Sequence, residues 1–491
     1  MKDIIKKYYH YICIVVIAIV SFCFYSYLRY PLLNSDDAWV VLMAHGFHLP
    51  EDLFYWNQSR GGNIVALIAQ IFIRLFHFRA ITAVSISEYL LLLTGVLCFS
   101  SLFKNKNIKI LLAVLWFLPF QRFIDITRFF IGWEYSVIAI AVFLINKLWD
   151  MDKTTLKAKL LMACTVFTMI IAVWVLYNAL FTIIVLLITL LIYNGKKLPH
   201  KNVILFSLLG GIISYFGLKF IYSFNTGYCP DCNKINNWDN IVQALNILYL
   251  RYKEVLLFQT GEWFVSLHTY LCLLFLGTLI YCVIRNKYYK VLIKDKWIAF
   301  FLLDFCVFYG IYLLSNWVLI NEMGRWYYVA CYISLSMCVL LIFDRLYEEK
   351  KMKNLRFALY FVLFIGAISP IVTMITHRPK TLKPMEKYAR ELEPLQPCGI
   401  IAEWWNAYIC SVADPDNVLA TPHQEHGTWS RNPSLAYKVA QMDTVYLIQD
   451  MWLESFPEQT QQFGYKFKKD GEGFHIGDWQ MCRYINQGKI K

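Results

Sequence analysis

Apolar residues in this chain gather into long runs separated by short polar gaps. The runs lie near 11–28, 81–101, 108–121, 134–149, 160–177, 179–193, 203–222, 267–284, 297–319, 326–343 and 355–376. A helix needs about 20 mostly apolar residues to cross a bilayer core about 30 Å thick. The pattern therefore predicts about eleven membrane-spanning helices. The stretch 160–193 would be roughly 50 Å long as a single helix at 1.5 Å per residue. Basic flanks at both of its ends imply a hairpin turning near Asn178. The shorter runs 108–121 and 134–149 form a second hairpin between two basic loops, so both cross or neither does.

Loop charge sets the expected sides. Six segments are rich in Lys and Arg: the N-terminus, 102–109, 147–159, 194–202, 285–296 and 344–356. The loops between them carry one or two basic residues each. Lys and Arg are retained on the cytoplasmic side, so the N-terminus is expected there and everything beyond about 377 outside. The apolar run after Lys2, Lys6 and Lys7 is too long for a cleaved signal core and reads as a signal anchor. Segment 63–78 differs from the spans. Asn63, Gln70, Arg74 and His77 recur on one helical face with Ile, Leu and Phe on the other, as in a helix lying in the interface.

The tail changes character. Residues 377–397 hold Pro379, Pro384, Pro394 and Pro397 around a short helical stretch. Beyond them come candidate strands Cys398–Ala402, Val418–Thr421 and Thr444–Gln449, with a helix at Glu403–Val412. The expected fold is a polytopic α-helical membrane protein with interfacial helices in its first outer loop and a small C-terminal α/β extracytoplasmic domain. The expected division is 1–376, holding a first outer loop at 29–80 and a large outer loop at 223–266, and 377–491.

Composition supports this reading. Hydrophobic residues make up 58% of the 491 residues, more apolar surface than a water-soluble fold can cover. Sixteen Trp and 33 Tyr suit membrane interfaces. The net charge of +13 resembles a nucleic-acid signal, but the basic residues sit in the loops that topology requires, so no nucleic-acid partner is expected. Neither a Gly-x-Gly-x-x-Gly nor a P-loop lysine motif occurs, which argues against a soluble nucleotide pocket. Nine of the 14 cysteines lie in or beside spans. In the large outer loop Cys229 and Cys232 could close as a local disulfide, act as a redox motif or supply half of a zinc site.

Candidate chemistry begins directly after the first span, at Asn34-Ser35-Asp36-Asp37-Ala38-Trp39. A short helix is expected over 36–46. Ser35 could be its N-cap, with the acids in the favourable first turn. Alternatively one acid faces a cleft as a general base, because neighbours on a helix point about 100° apart and cannot share one task.

This acidic pair at the outer end of the first span, followed by interfacial helices, many spans and an outer tail, resembles the GT-C superfamily of integral membrane glycosyltransferases, with its protein mannosyltransferase and aminoarabinose transferase-like enzymes. The resemblance implies a sugar donor carried on a polyprenyl phosphate or pyrophosphate, a glycan, lipid or protein acceptor, and an Asp that deprotonates the acceptor hydroxyl. It implies an inverting transferase in the plasma (inner) membrane. A leaving phosphate calls for cations. The candidates are Arg60, Arg128 and Arg325, with Arg122 beside them; Arg60 and Arg325 stand next to glycine, where a ligand can approach the backbone. Their alternative role is anchoring helix ends to headgroups. Glu134 is a second acid by position or simply a helix-start residue.

A divalent metal is an option, not an implication. His45 and His48 flank Gly46-Phe47 near the acids, and His423-x-x-His426 lies in the tail; ordinary loop histidines are the better reading. The tail sequence Glu403-Trp404-Trp405-Asn406-Ala407-Tyr408 is similar to the Trp-Trp-Asp-Tyr-Gly motif of oligosaccharyltransferases, but has Asn at the third position and no Gly, so sequon recognition is not carried over. It reads as an aromatic helix packing the domain against the membrane, or as a sugar platform. The rival functions are a surface-polysaccharide polymerase or ligase and a lipid or polysaccharide transporter, to which the intramembrane acids Glu88 and Asp304 would belong.

Overall fold

The computed structural model describes residues 2–29, 35–56, 61–128, 130–194, 200–224, 234–377, 390–412, 414–424, 432–477 and 479–490. The predicted positions of Arg60, of Cys229 and Cys232, and of His426 lie outside these residues. All eleven apolar runs are helical. In chain order the helices are α1 (Lys2–Tyr25), α2 (Ser35–His45), α3 (Ile64–Phe76), α4 (Ala80–Ser100), α5 (Lys106–Phe117), α6 (Trp133–Trp149), α7 (Leu156–Val175), α8 (Ala179–Tyr193) and α9 (Lys201–Tyr222). There follow α10 (Trp238–Leu256), α11 (Trp263–Arg285), α12 (Tyr289–Leu292), α13 (Lys296–Leu314), α14 (Asn316–Ile320), α15 (Val329–Arg345) and α16 (Lys353–His377).

Eight helices are long and apolar enough to cross a membrane among the described residues, and a ninth arises if α5 and the turn Gln121–Thr127 count as one broken span. The protein is thus polytopic. The three shortfalls have local causes. Helix α5 stops at Phe117 and the chain bends by 93° into a 3-10 turn at Gln121–Thr127, shortly after Pro119, which cannot continue a helix. Helices α6 and α8 hold 17 and 15 residues. The predicted hairpin break falls at Leu176–Asn178, between α7 and α8.

By contact the chain forms two compact units. The bundle unit holds Met1–Cys23, Tyr89–Ser223 and Cys229–Thr376; the second holds Phe24–Glu88, Phe224–Tyr228 and His377–Lys491. The first loop is therefore grouped with the tail.

In the bundle unit, α6 packs on α7, α7 on α9, and α13 on α15 and α8. Gly210 of α9 lies so close to α7 that a Cβ there would stand 2.3 Å from a Val166 methyl carbon. The outer face of α9 (Leu208, Ile212, Ile213, Phe216, Phe220) is exposed, as a lipid-facing span requires.

The tail contributes β1 (Cys398–Ala402), α17 (Trp404–Val412), β2 (Val418–Pro422), α18 (Pro433–Ala440), β3 (Thr444–Ile448), β4 (Gln459–Gln462), β5 (Tyr465–Lys469), β6 (Phe474–Ile476) and β7 (Trp479–Lys489). Strand order is β2-β1-β3-β7-β5-β4, with β6 on β7. The first three strands are parallel and the rest antiparallel. Ile400, Ala402, Val418, Ala420 and Met481 form one buried cluster, and Ile401, Val445, Leu447, Phe467 and Tyr484 another. The three strands and the helix anticipated from sequence are present; α18 and β4–β7 were not anticipated. Cys398, Cys410 and Cys482 are buried free thiols in this core, and burial pushes the Cys398 thiol up to about 12.

Candidate functional site

Helix α2 is apolar on nearly every side, and all but Asp36 and His45 of its eleven residues are buried. Its cover comes from α17 of the tail. Ser35 opens α2, and its hydroxyl donates to the Trp404 carbonyl. A residue expected only to cap α2 thus ties it to the tail. Trp39, fully buried, stacks on Tyr55 at 5.5 Å between centroids and meets Trp404 edge-on at 5.7 Å. Trp404 meets Tyr408 edge-on at 5.3 Å, and Tyr408 reaches Trp56 at 6.0 Å. Such pairs add about 0.5–1.5 kcal/mol each beyond area burial. The Trp404–Tyr408 segment packs on α2, with Trp405 left exposed.

Asp37 is 1% exposed and Asp36 is half-buried. Both engage in polar or electrostatic interactions within the protein. Their unequal burial matches the 100° offset anticipated for helix neighbours.

The rest of the first loop supports α2. His45, near its end, pairs through Nε2 with Asp416 of the tail at 3.0 Å. His48 is exposed, and its amide donates to Asp52 at 2.7 Å. Asp52 also accepts from Trp56 Nε1 at 3.1 Å. Burial raises the Asp52 carboxyl above its ordinary range, against the lowering effect of these two hydrogen bonds. Of the polar stripe of α3, Asn63 and Gln70 face α2, while Arg74 and His77 are exposed. Gln70 donates to the Ala44 carbonyl at 2.8 Å and buried Asn63 reaches the Met43 sulfur at 3.5 Å, while Ile71, Leu75 and Phe76 are exposed. Among the described residues no group of three His, Cys, Asp or Glu could hold a metal ion. His45 is committed to Asp416, and His423 is buried and stacked on Trp452 at 4.4 Å.

The carboxyl ends of β1 and β3 lie beside α17. There Asp450 accepts from the Glu403 amide at 2.9 Å and from Asn406 Nδ2 at 3.1 Å. Burial raises both the Asp450 and the Glu403 carboxyls.

In the bundle unit a second set of charges gathers on the turns flanking α6, α11 and α15. Arg122 pairs with Glu262 at 2.6 Å, Arg325 with Asp125 at 3.4 Å, and Arg251 of α10 with Glu322 at 3.2 Å. Arg122 feels the charges of both Arg325 and Arg251, so the three guanidiniums are neighbours. Glu322 and Met323, just before Arg325, both hold left-handed backbone (φ 52° and 53°). Such conformations cost about 1–2 kcal/mol each in non-glycine residues and cluster at functional segments. Arg128 is buried. Glu134, also buried, accepts from the Gly132 amide at 2.8 Å, capping its own helix. Gly132 has φ 118°, and a Cβ there would meet Val329 at 2.9 Å, so only glycine fits. Arg251, Asp125, Glu262 and Asp52 escaped the sequence reading: Asp125, Glu262 and Asp52 lie in turn segments where a single charge has no periodic signature, and Arg251 is one of several charges along α10.

Asp36 and Asp37 belong to the loop–tail unit, and Arg128, Glu134 and Arg325 to the bundle unit. A polytopic bundle with an appended mixed-sheet domain, an acidic helix under that domain and an arginine cluster on the bundle's turns is the class these features define.

No protein-family model matches the chain, and no curated protein matches it in sequence. Among solved structures it is similar to ArnT from Cupriavidus metallidurans in the apo state, with 8% identity over 99% of this chain and 98% of that one and a TM-score of 0.49. The same protein bound to undecaprenyl phosphate gives 8% identity, 96% and 97% coverage and 0.44. The Archaeoglobus fulgidus oligosaccharyltransferase tethered with an acceptor peptide gives 14%, 92% and 70%, and 0.48.

Proposed function

We propose that the protein is a GT-C-type membrane glycosyltransferase that moves a sugar from a polyprenyl-phosphate-type lipid donor to a hydroxyl acceptor at the outer face of the plasma membrane. The observation that carries this reading is the clamping of α2, with its two carboxylates, beneath the tail helix α17. An acid held by packing is a better base than one on a mobile loop, because its geometry is paid for before substrate arrives. In the proposed step, Asp36 or Asp37 takes the proton of the acceptor hydroxyl. The freed oxygen pair attacks the anomeric carbon from the face opposite the phosphate. The C–O bond to the phosphate breaks, and the phosphate leaves with that electron pair, inverting the centre. Arginines suit the growing phosphate charge; Arg325 and Arg128 are the described candidates, Arg122 and Arg251 join them, and Arg60 completes the set. Glu134 would act as the second acid. The basic loops support a cytoplasmic N-terminus and an outer tail.

The test is transfer by purified protein supplied with polyprenyl-phosphate sugars, comparing Asp36→Asn and Asp37→Asn. Loss of turnover in one variant, with folding and membrane insertion intact, is the expected result. Full turnover in both would sink the reading. The transporter alternative draws on Asp304, buried in α13, which accepts from Tyr135 of α6 at 2.6 Å and Ser334 of α15 at 2.5 Å. It predicts substrate flux across vesicles that Asp304→Asn abolishes, with no transfer product.

A further inference from the structure

Hydroxyls on the bundle helices commonly bond within their own helix. Thr165 and Thr168 of α7 and Thr189 of α8 each donate to the carbonyl four residues back, the usual resting place for a helical hydroxyl with no other partner. Thr182 of α8 and Ser334 of α15 do otherwise. Ser334 donates to Asp304 Oδ2 of α13 at 2.5 Å, and the Tyr135 hydroxyl of α6 donates to the same oxygen at 2.6 Å. Thr182 and Ser334 each stand 3.4 Å from the Tyr135 hydroxyl. All four residues are 0% exposed. Four helices thus bring their oxygens around one carboxylate.

Asp304 differs from the other buried acids of the bundle unit in having no positive partner. Asp344 is held by Arg345 and by the amides of Lys104 and Asn105, and Glu134 by the Gly132 amide. Among the described residues no Lys, Arg, His or backbone amide serves Asp304, and its Oδ1 is buried without a hydrogen-bond partner.

A buried carboxylate needs a proton or a counter-charge. A proton suits the geometry badly. Both hydroxyls already donate to Oδ2, as they would to an anion, and a proton on Oδ1 would face no acceptor. A cation meets neither objection, because the hydroxyl oxygens keep lone pairs for it while their own protons stay in place. The donor set is all oxygen, which suits a hard ion and not one that seeks Cys or His. A single carboxylate balances a single positive charge, and a divalent ion would leave excess charge inside the bundle. The hydrogen-bonded oxygens stand 2.5–3.4 Å apart, a spacing for a small ion. We propose that Asp304, Tyr135, Thr182 and Ser334 form a binding site for a sodium ion that pins α6, α8, α13 and α15 together. The site involves neither carboxylate of α2 and does not rest on the transferase reading.

The experiment is thermal unfolding of the full chain in detergent, in sodium chloride and in choline chloride at equal ionic strength, with calcium chloride as a third arm. Sodium should raise the unfolding temperature over choline by about 2–4 °C. Asp304→Asn should abolish the difference, and Thr182→Val should reduce it by about half or more. Thr189→Val, whose hydroxyl is engaged on its own helix, should leave it intact. Should Asp304→Asn not fold, Thr182→Val carries the test. Equal unfolding temperatures in sodium and choline would overturn the proposal. So would a full sodium response in folded Asp304→Asn or Thr182→Val, or an equal loss in Thr189→Val. Calcium raising the unfolding temperature more than sodium, in a manner that Asp304→Asn removes, would overturn the monovalent assignment.

Discussion

The bundle unit and the loop–tail unit are stabilised in opposite ways. In the bundle, large apolar side chains face outward and the interior tolerates acids such as Asp304, Glu134 and Asp344. In the loop–tail unit the aromatic side chains around α2 face inward, and α2 is buried by Trp404, Tyr408 and Tyr55. Lipid supplies no hydrophobic drive between helices, so the bundle relies on close approach and interior hydrogen bonds. The second unit has water to exclude, and aromatic burial drives its assembly. The comparison teaches a division of labour. Cations collect on the turns of the bundle, and the paired acids of α2 stand in the unit held by aromatic packing.

Four measurements would break or sharpen this contrast. The largest effect is expected on turnover. Asp37→Asn or Asp36→Asn should lower it by about 10²–10⁴-fold, the usual range for a general base, without moving the unfolding temperature by more than a degree or two. Next, Trp39→Ala should destabilise the loop–tail unit by about 3–5 kcal/mol. The bundle's helical circular dichroism should persist while the tail becomes protease-sensitive; joint unfolding would show that the units are not separately stabilised. Third, Arg325→Gln should raise the donor KM about tenfold and leave the acceptor KM unchanged, corresponding to one charge-assisted hydrogen bond.

The smallest effect concerns pH. Burial favours the neutral form of Asp450 in the folded tail and raises its carboxyl above the ordinary carboxylate range. The folded state therefore holds a proton that the unfolded state has released, so this residue's contribution is fully present below the unfolded value. It is lost as pH rises through the folded one. Asp450→Asn should make tail stability less dependent on pH across that window, as read by thermal unfolding. An unchanged dependence would place the proton elsewhere.

Much of the architecture was legible because lipid imposes long apolar runs and a charge rule. Strands β1–β3 were legible because they are short, β-branched and flanked by turns. Strands β4 and β5 were hidden for a physical reason. Gln459–Gln462 and Tyr465–Lys469 bury few side chains, chiefly Phe467, so no apolar alternation betrays them. Their hairpin turns at Phe463 and Gly464, both with positive φ (51° and 81°). Such turns usually carry Asn-Gly or Asp-Gly, and a Phe in the first place removes the signal. At the site, Asp36 and Asp37 were visible as a dipeptide. Their cover was not, because nothing local in Ser35 or Trp39 names a partner in α17.

That partnership has a consequence for biosynthesis. Ser35 and Trp404 are 369 positions apart. At ordinary translation speeds, the first loop emerges on the order of tens of seconds before the helix that covers it. Meanwhile α2 must wait with its tryptophan uncovered, a natural client for a chaperone at the membrane surface. A ribosome that stalls before codon 404 leaves a chain whose spans can insert but whose acids are never enclosed. Enclosure of α2 is thereby coupled to completion of the chain's own synthesis.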